Sequence, residues 1–391
     1  MSLSKVLSLP ELSRRRKENT KHISKDSRVI PSAHIQNIYS LYTSEFANLD
    51  ISNLKYYLES SRKGLNFWKS LLFEYVRRID LRIAAVCQTR KLSVLGSKYH
   101  IEGKDPALNT FAEKLVADIS NIENFFTDIV ESCIQGLSLF EINYKFEDNK
   151  IFIDDLRRIQ NHLVVYDDLD EEYYILDALK TSAINLRLAS GTITDRVDVK
   201  SLPLLNIPGE KLLEVHSFDG DNPNGFLNGC IDSLILAYFF KSYSVKDWQI
   251  FIEKFASPTV IGKYSALNQH DKNSLMLAVQ NLKNNASAVI PGEADILFRG
   301  DENKGEGSAV FNSNIEFWNN EITIRVLGQH LTTSLDKQGS YAAAQVHNAV
   351  RRDILLSDYH LIERTMDELI KRVIDFNFID VKDYPKFVFS F

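Results

Sequence analysis

The chain has 391 residues, and 46 Lys and Arg against 52 Asp and Glu leave a formal net charge of −6 at pH 7. Hydrophobic residues make up 44% and charged residues 25%, which excludes a wholly disordered or collagen-like chain. At about 150 residues per domain, the length predicts about two or three domains. The mild acidity argues against a simple nucleic-acid-binding protein, because such proteins normally carry a basic patch and a high pI.

Three widely spaced cysteines, Cys87, Cys133 and Cys230, predict small buried hydrophobic residues in a reducing compartment. No CxxC pair is present, so neither a zinc site nor a disulfide framework is expected. No secretory signal and no apolar stretch of about 18–20 residues occurs. We therefore expect a soluble protein that is made in a cytoplasm and has no membrane partner.

The first 31 residues hold eight basic and three acidic side chains and few apolar ones after Leu12, which predicts a basic flexible N-terminal arm. Two interpretations stay open for this arm. It is either an ordinary solvated tail or a segment that contacts an acidic partner or nucleic acid.

Residues 32–121 show helical periodicity. We expect Asp80 to be the N-cap of a helix, and we expect Pro106 to lie in the first turn of another. A further helix is predicted to begin at residue 122 and to end at Gly136. From residue 137 to 218 the period changes to two, which predicts a β-rich layer, and further strands are expected at 98–102 and 386–391.

A cluster of carboxylates lies inside the β-rich layer. A solvated turn is favoured over a site for a hard cation, because the spacing fits no calcium loop. The cluster comprises Asp167, Asp168, Asp170, Glu171 and Glu172.

Two very long helices are predicted in the second half of the chain, over 226–255 and 341–376. As straight helices of about 30 and 36 residues they would span about 45 and 54 Å. A turn-rich stretch, 219–229, precedes the first. A shorter helix is predicted over 314–328, and 331–340 has the composition of a loop.

Residues 256–311 are compact and mixed. We expect a helix over 271–284, strands over 288–290 and 295–298, and a polar, glycine-bearing loop over 299–308.

The sequence contains no GxGxxG, P-loop, HExxH or GxSxG signature. His347 and His360 lie on one predicted helix but about 20 Å apart along its axis, too far to chelate one metal ion. We therefore expect no enzyme, no catalytic residues, no cofactor and no metal. Two long helices that flank a mixed segment favour a ring-shaped assembly, in which such helices bury their apolar faces against neighbouring subunits.

Three segments carry a resemblance to a known family, and they occur in the same order and with similar spacing. They are Gln88–Gly96 (QTRKLSVLG), Lys246–Tyr264 (KDWQIFIEKFASPTVIGKY) and Leu327–Asp358 (LGQHLTTSLDKQGSYAAAQVHNAVRRDILLSD). They resemble the portal proteins of Mu-like tailed phages, and the similarity covers about residues 35 to 378.

The resemblance implies an α+β, mainly helical portal fold and a ring of about twelve subunits at one capsid vertex. Double-stranded DNA would pass through the ring during packaging and ejection, without sequence specificity. The implied partners are the large terminase, the major capsid protein and the neck or connector proteins. The implied location is the virion, with the host cytoplasm during assembly.

The order of segments in the family implies the following division of the chain: basic arm 1–31, wing 32–225, first stem helix 226–255, clip 256–312, second stem helix 313–330, tunnel loop 331–340, tunnel helix 341–378 and C-terminal tail 379–391. A crown is expected to be absent or reduced.

The resemblance also implies two groups of contact residues. The DNA-facing tunnel loop would use Thr332, Thr333, Ser334, Lys337 and Gln338, whose side chains can contact phosphates without reading bases. The clip would contact partner proteins through Tyr264, Asn268, Asp301, Asn303 and Lys304.

Two alternatives remain. One is another head–tail connector ring of a phage. The other is a metal-dependent phage enzyme that processes nucleic acid, which would need a compact acidic constellation on adjacent elements.

Overall fold

The computed structural model describes residues 46, 49–177, 198–256, 260–264, 273, 276, 287–291, 304–329 and 341–390. The chain divides into two compact units, one made of residues 1–235 and 322–391 and the other of residues 236–321.

Between residues 49 and 136, five α-helices precede the β-rich part of the chain, and their ends follow the predicted capping signals. They are α1 Ile51–Arg62, α2 Phe67–Ile79, α3 Leu81–Leu92, α4 Pro106–Ala117 and α5 Ile122–Gln135. The Asp80 carboxylate accepts a hydrogen bond from the backbone N–H of Ile83 at 3.0 Å, as expected of an N-cap. Pro106 is in the first turn of α4, and Gly136 ends α5 with φ of 87°.

The described strands of the first unit form three small sheets. They are β1 Lys98–Glu102, β2 Leu137–Glu147, β3 Lys150–Ile159, β4 Val164–Asp167, β5 Glu172–Leu176, β6 Leu204–Leu205 and β7 Leu212–His216, with β10 Lys386–Ser390 near the end of the chain. The sheet orders are β3-β2-β7, β4-β5-β6 and β1-β10, and all these pairs are antiparallel. The predicted β-rich layer and the strand near residue 390 are confirmed.

Strand β2 is buried on both faces over its first seven residues. Phe140 and Ile142 belong to the main core, and Leu137 and Leu139 belong to a second, smaller core. The period of two that the sequence predicts for this segment therefore marks only one face of β2, because a hydrophobic core covers each face of the strand.

In the second half of the chain, the described residues form three long helices and two further strands. They are α6 Ile231–Ala256, β8 Val260–Tyr264, β9 Ser287–Pro291, α7 Lys304–Leu327 and α8 Tyr341–Asn377. Helix α8 has 37 residues and agrees with the prediction. The apolar stripe of α8, which includes Leu361, Ile362 and Ile370, belongs to the main core and packs against α5 and β3.

The predicted start of α6 at residue 226 is wrong by five positions. Residues Gly225–Leu227 form a separate 3₁₀ turn, which the side chain of Asn224 caps. Gly229 has φ of 77°, a left-handed conformation that interrupts a helix.

The predicted loop over 299–308 and the helix start at 314 are also corrected, since α7 already begins at Lys304. Gly305 and Gly307 lie inside its first turns. A glycine costs a helix only about 1 kcal/mol, so these two residues break a helix less readily than the sequence pattern suggests.

In the second unit, strands β8 and β9 pair in parallel, with Val260 opposite Ser287. The strand predicted at 288–290 lies within β9, whereas β8 was not predicted. The strand predicted at 295–298 lies outside the described residues, as do the basic arm 1–31 and the loop 331–340.

The three cysteines are free and buried, as predicted. The carboxylate cluster forms the turn between β4 and β5, and the carboxylate of Asp167 accepts a hydrogen bond from the N–H of Leu169. The predicted turn is therefore confirmed. Among the described residues, no helix has the length and apolarity that crossing a membrane requires.

Candidate functional site

The contact residues expected from the resemblance are largely outside the described structure. Tyr264 is the last residue of β8 and Lys304 the first of α7, and only their backbone is described. The other eight lie outside the described residues: Asn268, Asp301, Asn303, Thr332, Thr333, Ser334, Lys337 and Gln338.

The described residues instead form a polar network at the point where α6 begins, α7 ends and α8 passes by. We call this network the helix junction. Its members are Lys69, Arg90, Asp219, Asp232, Arg325, Val326, Gly328 and Asp358. All of them belong to the first compact unit.

Arg90 on α3 connects two of the long helices. Its guanidinium donates from Nη2 to Asp358 Oδ1 at 2.8 Å and from Nε to Asp358 Oδ2 at 3.1 Å. A third bond runs from Nη1 to the carbonyl oxygen of Val326 at 3.3 Å. Arg90 therefore binds the middle of α8 through a bidentate pair and the C-terminal end of α7 through a carbonyl that can find no partner within its own helix.

This pair is buried, because the side chain of Asp358 is 1% exposed and that of Arg90 14%. Burial opposes the charged form of Arg90, but the hydrogen bonds and the negative charge of Asp358 outweigh it, so the pKa of Arg90 lies above its usual range. The guanidinium therefore stays charged at any physiological pH, and removing either partner would leave an uncompensated buried charge.

Arg325, in the last turn of α7, makes the second connection. Its Nη2 donates to Asp219 Oδ2 at 2.5 Å and to the carbonyl oxygen of Gly229 at 2.8 Å. Residues 219–229 are the turn-rich stretch that leads into α6. The side chain of Arg325 thus ties the end of α7 to the entry of α6, and its positive charge is favourable at the C-terminus of a helix.

Lys69 on α2 holds the entry of α6 from the other side. Its side chain is 1% exposed, and Nζ lies 2.9 Å from Asp232 Oδ1 in the first turn of α6. Nζ also donates to the carbonyl oxygen of Phe226 at 2.6 Å. Burial lowers the pKa of Lys69, while the pairing with Asp232 acts in the opposite direction.

Gly328 ends α7 in a left-handed conformation with φ of 72°. A Cβ at this position would lie 2.7 Å from Ile354 Cδ1 and 2.9 Å from Val350 Cγ1 on α8. Two features therefore favour glycine at position 328: the positive φ and the close approach of α7 to α8.

A cavity of about 280 Å³ lies within the junction, lined in part by Cys133, Cys230, Arg90 and Arg325. Burial raises the pKa of Cys133 to about 12 and that of Cys230 to about 11. Both thiols are therefore protonated at neutral pH and are poor nucleophiles. In the described parts of the chain, no group of three or more His, Cys, Asp or Glu side chains is arranged to hold a metal ion.

The junction residues were not predicted from the sequence, although two signals were present. Arg90 and Asp358 lie in two of the segments that carry the family resemblance, Gln88–Gly96 and Leu327–Asp358. Asp358 also interrupts the apolar stripe of α8 four residues after Ile354. A charge in the buried stripe of a helix indicates a buried ionic partner.

Comparisons with known proteins identify relatives of this chain. The portal protein of Escherichia phage Mu is 31% identical over 169 residues, which is 42% of this chain and 32% of the relative. The Mu-like prophage FluMu protein gp29 of Haemophilus influenzae is 30% identical over 175 residues, 42% of this chain and 33% of the relative. Each alignment thus spans about a third of the relative's own length.

The family model described as the portal protein of Mu bacteriophage matches residues 70–391, which include most of the helix junction and all three long helices. The chain therefore belongs to the family of Mu bacteriophage portal proteins.

Proposed function

We propose that this protein is a subunit of a portal ring, which stands at one vertex of a phage capsid and conducts double-stranded DNA during packaging and ejection. Membership of the portal family supports this function. We propose a structural role without catalysis, with the virion as the final location and the host cytoplasm as the place of assembly.

One structural observation supports the proposal of a ring. In the second unit, α6 and α7 pack as an antiparallel pair, with Phe240 stacked on Trp318 at a centroid distance of 5.6 Å and Phe251 close to Phe311, also at 5.6 Å. The pair still leaves many large apolar side chains exposed. They are Leu236, Phe240, Tyr243, Val245, Ile250, Ile252, Val310 and Phe317, each exposed by more than a third.

Exposed apolar surface on this scale marks an interaction surface. Helices that are apolar on several faces are stable when neighbours cover them, as happens when identical helix pairs stand side by side around a ring. Family membership suggests that the same helix pair of the next subunit covers this exposed apolar surface.

We propose the following roles for the segments. Residues 32–225 form the wing, residues 226–255, which include most of α6, form the first stem helix, and residues 313–330 form the second. Residues 256–312, which include the start of α7, form the clip. The clip would contact terminase and later the neck proteins, in part through Tyr264, Asn268, Asp301, Asn303 and Lys304. The remaining surface of the ring would contact the major capsid protein.

Residues 331–340 are proposed as the tunnel loop that faces DNA. The helix junction supports this role, because Gly328 and Asp358 secure α7 before the loop and α8 after it. Thr332, Thr333, Ser334, Lys337 and Gln338 would contact phosphates without reading the sequence.

Electron microscopy of the purified chain tests the proposal. We expect rings with a central channel about 30–40 Å wide, enough for duplex DNA. Phe317→Glu should reduce ring formation, because it places a charge without a partner in the apolar contact between the helix pairs of neighbouring subunits. Glu113→Lys, on the surface of α4, is the control and should not reduce it. A wild-type chain that remains monomeric at micromolar concentration would refute the ring.

A further inference from the structure

A groove of about 610 Å³ is lined by the strands β5 and β7, by residues 205–209 and by two residues of α8. Ile175, Ile207 and Leu212 contribute apolar lining, and Glu368 and Arg372 line the groove from α8. The volume is many times the roughly 15 Å³ that one water molecule requires, so the groove has room for a stretch of polypeptide. We call it the acidic groove, for the charges described below.

The edge of β7 that does not pair with β2 belongs to this groove. The N–H of Ser217 donates to the carbonyl oxygen of Gly136 at 3.0 Å, which fixes the alternation of hydrogen bonds between β2 and β7. With this alternation, the N–H and C=O groups of Leu212, Glu214 and His216 point away from β2. All three residues line the groove.

Most of this edge is unpaired. The carbonyl oxygen of Leu212 accepts a hydrogen bond from Arg372 Nη1 at 2.6 Å. In the described part of the chain, the backbone groups of Glu214 and His216 that point the same way have no hydrogen-bond partner. An unpaired strand edge beside a groove is the arrangement that binds an extended peptide as an added strand.

The charges that line the groove favour a basic peptide. The carboxylates of Glu172, Glu214 and Glu368 stand against one guanidinium, that of Arg372, which pairs with Glu368. Glu172 accepts a hydrogen bond from a tyrosine hydroxyl at 3.3 Å, and Glu214 lies 3.4 Å from a histidine nitrogen. Among the described residues neither of these two carboxylates has a Lys or Arg partner, so two negative charges remain for a ligand.

The basic arm, residues 1–31, has the opposite charge. Seven of its eight basic side chains lie in residues 11–30, a stretch without proline. Only such a stretch can pair along a strand edge, because proline has no N–H to donate. The 19 residues from 30 to 49 can span about 60 Å, and a folded unit of about 300 residues is about 50 Å across, so the arm can reach the groove of its own chain.

We propose that the basic arm binds in the acidic groove of the same chain, as an extended segment along the free edge of β7. Its backbone pairs with Glu214 and His216, and its basic side chains face the carboxylates of Glu172 and Glu214. Because the arm is tethered, its effective concentration is about millimolar, so weak exposed ion pairs are sufficient to hold it. The bound arm also covers an edge that could otherwise pair with another chain.

Limited digestion of the full chain with trypsin, read by mass spectrometry, tests the binding. Glu172→Gln combined with Glu214→Gln should speed cleavage within residues 11–30 by about fivefold, because each lost charge weakens the hold on the arm. Glu113→Gln combined with Glu123→Gln is the matched control, since it removes two exposed carboxylates of α4 and α5 outside the groove, and should not change the rate. Equal rates in the wild type and the groove variant would overturn the proposal.

Two further readings of the same digest identify the occupant. Cleavage of the wild-type arm should not depend on protein concentration, and protection that grows with concentration would assign the groove to the arm of another subunit. If the groove variant speeds cleavage within residues 178–197 and not within the arm, that segment is the occupant. Either result overturns the proposal. The digest uses the unassembled chain at low concentration, so its outcome is independent of the proposed ring.

Charge exchange gives a second test. Glu172→Lys combined with Glu214→Lys should release the arm more completely than the neutral variant does, because like charges then face each other. Adding Arg14→Glu, Arg15→Glu and Arg16→Glu to this variant should restore protection at the remaining basic residues of the arm. The melting temperature of each variant shows whether the fold is retained. A folded combination in which the arm is cleaved as fast as in the groove variant alone would contradict the docking.

Discussion

Single buried charges determine how the long helices are held. Arg90 has one partner on α8 and one at the end of α7, and Lys69 has two partners at the entry of α6. A buried ion pair adds little net stability over an apolar pair, but breaking it is costly. We therefore expect these residues to fix one arrangement of the long helices rather than to add net stability.

Arg90→Met should lower the free energy of unfolding by about 3–5 kcal/mol, because it leaves the carboxylate of Asp358 buried and unpaired. Urea denaturation of the full chain measures this change. Arg62→Met is the control, since its pair with Glu59 is exposed and should contribute about 0.5 kcal/mol or less. The double variant Arg90→Met, Asp358→Leu should recover part of the loss, and no recovery would contradict this account of the pair.

His162 should make stability depend on pH. Burial and the charge of Arg158 lower its pKa from 6.5 to about 4, and Nε2 has no hydrogen-bond partner among the described residues. Between these values the unfolded chain binds the proton and the folded chain does not, so stability falls as the pH drops through this window, by at most about 1.4 kcal/mol per unit.

In His162→Gln, the loss of stability between pH 6.5 and 4 should be smaller than in the wild type. Thermal unfolding across this range measures the difference between the two proteins, which removes the common contribution of the carboxylates. If the stability of the two proteins fell equally with pH, His162 would not be the source of the pH dependence.

At the scale of elements, the helix ends are where sequence and structure diverge. The caps at Asp80, Pro106 and Gly136 were predictable, because each is a local interaction between neighbours in the chain. The starts of α6 and α7 were not, since local propensity is weak there and long-range contacts decide between a turn and a helix.

Gly328→Ala should destabilise the chain by about 1–3 kcal/mol, because an alanine there has a strained φ and a Cβ that overlaps Ile354 and Val350. Gly96→Ala is the matched control, since a Cβ at residue 96 would meet no atom within 4 Å and its φ is not positive. Equal melting temperatures for the two variants would show that α7 and α8 do not need this close approach.

At the scale of the whole molecule, charge and family membership together define the expected relation to DNA. Each phosphate that a Lys or Arg neutralises adds a salt-dependent contribution to binding, so a conduit must make few such contacts. A net charge of −6 per chain is consistent with the proposed ring, whose wall would let DNA slide. The acidity therefore argues against tight, sequence-reading binding and not against contact with DNA.

Replacing Lys337 by Ala and deleting Thr332–Ser334 should leave ring assembly intact and impair DNA packaging and ejection. The reason is that the loop has the polar side chains for phosphate contact, whereas the apolar helix faces that support assembly lie elsewhere. Packaged DNA per particle and the fraction of DNA released are the measurements. Normal packaging and ejection by such rings would remove these residues from the proposed tunnel loop.

The sequence by itself determined the class of elements, the existence of the long helices, the buried cysteines and the family, because periodicity, caps and motifs are local patterns. Only the tertiary structure decided which charges meet. Arg90 and Asp358 are 268 positions apart, and Lys69 and Phe226 are 157 apart. The pairing of β1 with β10 and the burial of β2 on both faces likewise depend on packing between distant segments. Such contacts form only when the chain folds back on itself, and no local pattern specifies their partners.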